Sequence, residues 1–132
     1  MEINNNFKVS QTAYKILHTI YYLNDLDLYP NKNGVYKIVH GDLDEETIAF
    51  KSCPTFSTVI SITSKKISLL ITLLIRHGYI KNIYDSKTEE FYLELTPKGK
   101  VDTSRYILKK KAEYKRKSKT LKPTIVKINK KF

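Results

Sequence analysis

The stretch from Ile62 to Lys100 decides the fold: ITSKKISLLITLLIRHGYIKNIYDSKTEEFYLELTPKGK. It opens on a helix with Thr63 as its cap, and the apolar residues of this helix recur on one side at about 100° per residue: Ile67, Leu70, Ile71 and Leu74. Polar residues fall on the other side: Lys65, Ser68, Thr72 and Arg76. Leu69 lies among them, which is unusual on a solvated face. Gly78 is predicted to end the helix as a left-handed cap.

A β-hairpin is predicted directly after this helix. Its two segments, YIKNIY and EFYLEL, are joined by DSKTE. Apolar and polar side chains alternate from Phe91 to Leu95, as they do along a half-buried strand. A helix followed by such a hairpin is the order of a winged helix-turn-helix, which places one helix and the hairpin, called the wing, on the same side of the domain.

A last helix begins in TPKGK, with Thr96 as its cap and Pro97 in its first turn. The segment that follows is compatible with a helix to about Lys119, and LKPTIVKINKKF is expected to be a short tail. Near the other end of the chain, QTAYKILHTIYYL predicts a first helix with Ser10 as its cap and an apolar stripe on one face. Residues 1–9 are expected to be a flexible start.

The middle of the chain gives weaker signals. VYKIVHG is short and apolar, and its periodicity fits a strand as well as a two-turn helix. DLDEETIAF is predicted to be helical, because its acids would lie in the first turn, where the helix dipole favours them. KSCPTFSTVIS is expected to be a connector. The whole pattern predicts an α+β protein, mostly α, with a two-stranded wing and a basic C-terminal helix and tail.

Charge is distributed unevenly along the 132 residues, whose net charge is +11. Residues 1–96 hold 10 Lys/Arg and 11 Asp/Glu, a net of −1, whereas residues 97–132 hold 14 Lys/Arg and 2 Asp/Glu, a net of +12. Such a basic segment indicates a polyanionic partner, because each phosphate that it neutralises releases counterions. Tyr106 and Tyr114 lie among the cations and can stack on bases. The candidate phosphate contacts in this segment are Arg105, Lys109, Lys110, Lys111, Lys115, Arg116 and Lys117.

Other classes of protein find little support in the sequence. Cys53 is the single cysteine, so no intramolecular disulfide can form, and it is interpreted as a packing residue. The three histidines are scattered, and no nucleophile has an evident base, so neither catalysis nor a metal or cofactor site is predicted. The longest apolar run, Ile67–Ile75, is too short to span a bilayer. A cytoplasmic protein associated with the nucleoid or the ribosome is expected.

From Gln11 to about Ile107 the chain resembles the RQC domain, the winged helix near the C-terminus of RecQ-type helicases. The resemblance rests on AYKILHTIYYL, GVYKIVHG, the aromatic Phe56 before a loop, LITLLIRHGYI and YLELTPKG, in that order and spacing. It implies a winged-helix domain over residues 10–107 with a basic extension over 108–132. The chain contains no G-x-x-x-x-G-K-[ST] phosphate loop, so it resembles a stand-alone RQC domain without the helicase motor.

The resemblance implies DNA binding that is largely directed by structure, with the wing acting at duplex ends in some members. An aromatic residue at the wing tip can stack on the terminal base pair there, and the candidates in this chain are Tyr84 and Phe91. One departure concerns the loop after Phe56, which in the family carries a Gly-x-Gly-Lys/Arg-type segment that contacts phosphates. Here this loop reads STVIS, whose hydroxyl groups bind phosphate more weakly than a charge does.

Several interfaces are compatible with the sequence. The body offers nucleic-acid contacts on the main helix and the wing: Lys65, Lys66, Ser68, Thr72, Arg76 and Lys87. The wing tip nevertheless has a net charge of −2 over its four charged residues, Asp85, Lys87, Glu89 and Glu90. DNA is the leading partner, and RNA on the ribosome is the alternative. A protein partner could instead dock on Leu69 and the wing aromatics, and the IYY of the first helix is a candidate homodimer surface.

Overall fold

The computed structural model of the protein describes residues 7–42, 44–45 and 47–130, and side chains are described up to residue 114. These residues form four α-helices, one short 3₁₀ helix and one antiparallel sheet of two strands. In chain order the elements are α1 (Gln11–Asp25), α2 (Lys32–His40), the 3₁₀ helix (Ile48–Phe50), α3 (Ser64–Arg76), β1 (Ile80–Asp85), β2 (Glu90–Leu95) and α4 (Pro97–Lys130). The predicted mostly helical winged-helix fold is confirmed.

The predicted helix caps are present in the structure. Ser10 Oγ accepts from the Ala13 N–H at 3.1 Å, Thr63 Oγ1 from Lys66 at 3.2 Å, and Thr96 Oγ1 from Gly99 at 3.0 Å. Each hydroxyl satisfies one of the N–H groups that lack a partner inside the helix. After α3 the chain turns through Gly78 in the left-handed conformation, with φ of 83°, as predicted.

The ambiguous segment VYKIVHG belongs to helix α2. Asn31 caps this helix by accepting a hydrogen bond from the Gly34 N–H at 2.7 Å, and Gly41 ends it with φ of 93°. Asn31 lies four residues before the segment and Gly41 is its last residue, so both end signals flank the apolar positions, whose periodicity alone left a strand open.

The prediction of a helix over DLDEETIAF is wrong. Of this segment, only the 3₁₀ helix Ile48–Phe50 is helical among the described residues. Asp44 Oδ1 accepts from the Thr47 N–H at 3.1 Å, and Thr47 Oγ1 accepts from the Asp44 N–H at 3.1 Å. The Thr47 hydroxyl also donates to the Asp42 carbonyl. Such local side-chain hydrogen bonds give the backbone groups partners other than those of a helix, and here they form a turn.

One apolar core joins the first three α-helices to the base of the wing. Its buried residues are Ala13, Ile16, Leu17, Ile20, Val35, Val39, Ile67, Ile71, Leu74, Tyr79, Ile80, Leu93 and Leu95. Cys53 is buried beside Leu23 and Ile38, which confirms its interpretation as a packing residue. Ile20 is fully buried, so the core removes it from the candidate dimer surface IYY. Packing also begins before the predicted domain start, because the ring of Phe7 stacks on His77 at 3.8 Å.

The wing is fixed to the helices at its base. Leu93 donates its N–H to the Pro30 carbonyl at 2.8 Å, and Asn24 Oδ1 accepts from the Leu95 N–H at 3.0 Å. Gly99 lies so close to the start of β1 that a Cβ on it would be 2.1 Å from the Tyr79 carbonyl oxygen. The glycine of TPKGK is therefore required by the close approach of α4 to the wing.

Helix α4 begins as part of the domain. Thr103 is fully buried, and Tyr106 stacks on Tyr14 of α1 with ring centroids 4.4 Å apart. The helix runs to Lys130, beyond its predicted end near Lys119 and through the segment expected to be a tail. Among the described residues, no helix combines the length and the apolar character needed to cross a membrane.

Candidate nucleic-acid interface

The outer face of α3 carries two of the predicted cations. Lys65 and Arg76 are exposed on the same stripe as Leu69, whose side chain is 53% exposed. Ser68 is half-buried beside this stripe. Lys66 lies about a quarter turn round the helix, where it lines a cleft with Phe7 and Lys8 at the start of the described chain. The structure therefore brings Lys65 and Arg76 together on one face and separates Lys66 from them.

Thr72 makes two internal hydrogen bonds. The Lys32 ammonium of α2 donates to Thr72 Oγ1 at 3.1 Å, and this hydroxyl donates to the Ser68 carbonyl at 2.9 Å. Lys32 thereby adds a cation beside α3 that no local sequence pattern could indicate, since 40 positions separate the two residues.

The first turn of α3 holds Lys65 and Lys66 and no acidic residue. Cations are unfavourable at the N-terminus of a helix, which is the positive end of its dipole. An anion placed there would be attracted by the dipole and by both ammonium groups. The charge pattern of this turn therefore favours binding of a phosphate.

The loop after Phe56 is held against α2. Ser57 donates its N–H to the Ile38 carbonyl at 2.8 Å and adopts φ of 60°, a conformation that glycine adopts at little cost. Lys15 of α1 donates to the Thr58 carbonyl at 3.2 Å. A cation thus lies beside the loop although its own sequence contains none, and it comes from another helix.

The wing aromatics form a cross-strand pair. Tyr84 and Phe91 lie opposite each other in the register of the hairpin, with ring centroids 5.1 Å apart and 56° between the ring planes. Each side chain remains about half exposed, at 53% and 52%. In the turn, the Lys87 N–H donates to Asp85 Oδ1 at 2.9 Å. The acidic tip disfavours phosphate, whereas the exposed rings offer an apolar stacking surface.

Four of the predicted cations of α4 have described side chains, and these four lie on two sides of the helix. Arg105, Lys109 and Lys110 line a cleft against the start of α1, and Lys110 is 3.7 Å from the Glu113 carboxylate. Lys111 lies towards His18 of α1: burial lowers the pKa of this histidine, and the positive charge of Lys111 lowers it further. The side chains of Lys115, Arg116 and Lys117 lie outside the described residues.

Comparison with models of protein families matches residues 4–124 to the RQC domain. No curated protein and no solved structure matches the chain. The matched region begins before α1 and extends well into α4, so it contains all the packed elements described above. It is also longer than the resemblance that the sequence motifs alone support. The match covers most of the chain and agrees with its winged-helix architecture: the chain belongs to the RQC domain family.

Proposed function

We propose that the protein is a non-enzymatic nucleic-acid-binding protein whose main ligand is DNA, recognised by structure or bound in a regulatory role. The observation that carries the proposal is the basic helix α4 attached to a winged-helix body of the RQC family. Residues 97–114 contain six cations and two acids, a net of +4, and residues 115–132 contain eight cations and no acid, a net of +8. This charge would provide affinity without sequence preference.

The body would determine how the nucleic acid is oriented. Lys65, Arg76 and Lys32 give the outer face of α3 a positive edge, and Leu69 adds an apolar contact at its centre. Half-exposed rings at the wing tip can stack on the terminal pair of a duplex, where no phosphate has to approach the acidic turn. In this proposal the nearly neutral body positions the nucleic acid, and the charged helix α4 provides the affinity.

The test uses the full-length protein, because the start of α4 is packed against α1 and its removal would expose the side chains that it covers. Blunt duplex DNA, forked DNA, single-stranded DNA and structured RNA of equal length are titrated at several salt concentrations. The double variant Lys109→Gln/Lys110→Gln is compared with Lys51→Gln/Lys81→Gln, which removes two exposed cations from the body. If both α4 lysines contact phosphates of a duplex, the slope of log K against log salt falls by about 1.8 in the first variant.

The four probes separate the proposal from its alternatives. A preference for forked or blunt DNA supports recognition of duplex ends, and substitution of Tyr84 or Phe91 by alanine should then remove the preference. A preference for structured RNA would support the ribosome-associated alternative. Absence of salt-dependent binding to every probe would overturn the proposal. If DNA is the main ligand, the protein would be found on the nucleoid in the cytoplasm.

A docking role for the same domain has one specific observation in its favour. Leu69 is 53% exposed at the centre of the α3 face, where a partner protein could cover it. In that case Leu69→Ala would weaken capture of the partner with little dependence on salt, while the α4 variant would leave capture unchanged. Tyr21 and Tyr22 are half-buried and would be the part of the predicted homodimer surface still open to a second copy.

A further inference from the structure

Lys15 and His18 are half-buried on the face of α1 that lies between α4 and the loop after Phe56. Lys15 donates to the Thr58 carbonyl at 3.2 Å, on the loop side of the helix. His18, one turn further along, lies near Lys111 of α4, whose charge contributes to its lowered pKa after burial. The two helices are in direct contact here, because Tyr106 stacks on Tyr14. The cations Lys111 of α4 and Lys15 of α1 therefore both lie close to the His18 imidazole on the surface of α1.

The same path continues towards the start of α3. Lys66 and Lys8 line one cleft with Thr12, and Thr12 lies one turn before Lys15 on α1. Like charges brought together in this way repel one another, and a polyanion relieves the repulsion.

The two acids of α4 are directed elsewhere and do not neutralise this path. Asp102 lies near Tyr14 and Tyr79, where its charge contributes to their raised pKa values after burial, and Glu113 lies 3.7 Å from Lys110. Lys15 also keeps capacity for a ligand, since an ammonium group has three N–H donors and the Thr58 carbonyl accepts one of them.

We propose that Lys111, His18 and Lys15 form a track for a phosphodiester backbone, which crosses α1 and joins the basic face of α4 to the first turn of α3. The inference rests on the proposed function and deepens it by adding α1 to the interface. On this track Lys15 provides the cation that the loop STVIS lacks in its own sequence. One strand of a bound nucleic acid would then contact α4, α1 and the N-terminus of α3 in succession.

The experiment measures binding of a labelled duplex to the full-length protein by fluorescence anisotropy over a series of salt concentrations. Lys15→Gln removes one phosphate contact, which lowers the slope of log K against log salt by about 0.9 and the affinity at 0.1 M salt about eightfold. Lys15→Arg keeps the charge and should retain binding. Lys81→Gln removes an exposed cation from the wing, off the track, and serves as the matched control.

Lys111→Gln provides a second, independent variant, because this side chain is exposed on α4 and has no role in the core. The double variant Lys15→Gln/Lys111→Gln should lower the slope by about 1.8. If the native protein binds the duplex and Lys15→Gln and Lys111→Gln both behave like Lys81→Gln, the track is refuted while the proposed function stands. If the native protein binds neither DNA nor RNA, the proposed function itself has failed.

Discussion

Gly41→Ala should destabilise the protein by much more than Gly78→Ala, although both glycines adopt the left-handed conformation, with φ of 93° and 83°. A side chain in this conformation costs about 1–2 kcal/mol at either position. A Cβ on Gly41 would in addition lie 2.6 Å from Ser57 Oγ and 2.8 Å from Ser57 Cβ, whereas no atom of the described residues lies within 4 Å of a Cβ on Gly78. Overpacking of that kind adds about 1–3 kcal/mol, so we expect about 2–5 kcal/mol for Gly41→Ala and about 1–2 kcal/mol for Gly78→Ala.

The substitution Ser57→Gly separates the steric cost of Gly41→Ala from its conformational cost. It removes the Oγ and Cβ that a Cβ on Gly41 would meet, and the nearest remaining atom is the backbone Cα of residue 57, 3.1 Å away. Ser57→Gly also relieves the cost of the positive φ at residue 57, which stabilises the folded state. Glycine gives the unfolded chain more conformational entropy, which acts in the opposite direction, so the free energy of unfolding of the single variant should be nearly unchanged. In the Ser57→Gly background, Gly41→Ala should therefore cost about 1–2 kcal/mol, as Gly78→Ala does.

Urea unfolding followed by circular dichroism gives the free energies of this double-mutant cycle. The coupling between positions 41 and 57 should be about 1–3 kcal/mol, equal to the overpacking that the serine causes. Additivity of the two substitutions within about 0.5 kcal/mol would refute the reasoning, as that is the limit expected for independent sites. Gly78→Ala serves as the control for the conformational cost alone.

Three further predictions concern single residues. Gly99→Ala should destabilise the protein by about 1–3 kcal/mol in urea unfolding, because its Cβ would meet the Tyr79 carbonyl at 2.1 Å, and an unchanged midpoint would contradict this. Thr103→Val should stabilise the protein by about 1 kcal/mol, since Thr103 Oγ1 is buried and has no hydrogen-bond partner among the described residues; a lower melting temperature would contradict it. His18 has a pKa below its ordinary 6.5, so the unfolded state binds the proton more readily and stability should fall as the pH drops below 6.5. His18→Gln should make the free energy of unfolding depend less on pH below 6.5. The same dependence on pH in both proteins would contradict the prediction.

Much of the fold could be predicted because its signals are local. The Thr63 cap, the stripe of α3, Gly78 and the alternation of β2 all lie within a few residues of the elements that they define. The wrong prediction of a helix over DLDEETIAF also relied on a local signal. Acids in a first turn are typical of a helix, but here Asp44 and Thr47 form hydrogen bonds with each other and make a turn. A pattern of charges does not reveal which backbone group a short polar side chain will choose.

The candidate interface was less predictable, because its members meet through tertiary structure. Lys15 lies 43 positions from Thr58, and Lys32 lies 40 positions from Thr72. In the sequence each is an isolated lysine on a helix. The cations of α3 and α4 were recognisable as groups only because they follow one another along single helices.

The stack of Tyr106 on Tyr14 has a consequence for how the basic helix meets a ligand. A free cationic arm has to lose conformational freedom each time it binds, and that loss subtracts from its affinity. Here the first turns of α4 are already ordered by the body. If the protein binds nucleic acid as proposed, their ammonium groups would be held at a high effective concentration beside a strand that contacts the wing or α3. In that case, loss of either uncharged ring would weaken nucleic-acid binding, because α4 would gain conformational freedom that it has to lose on binding.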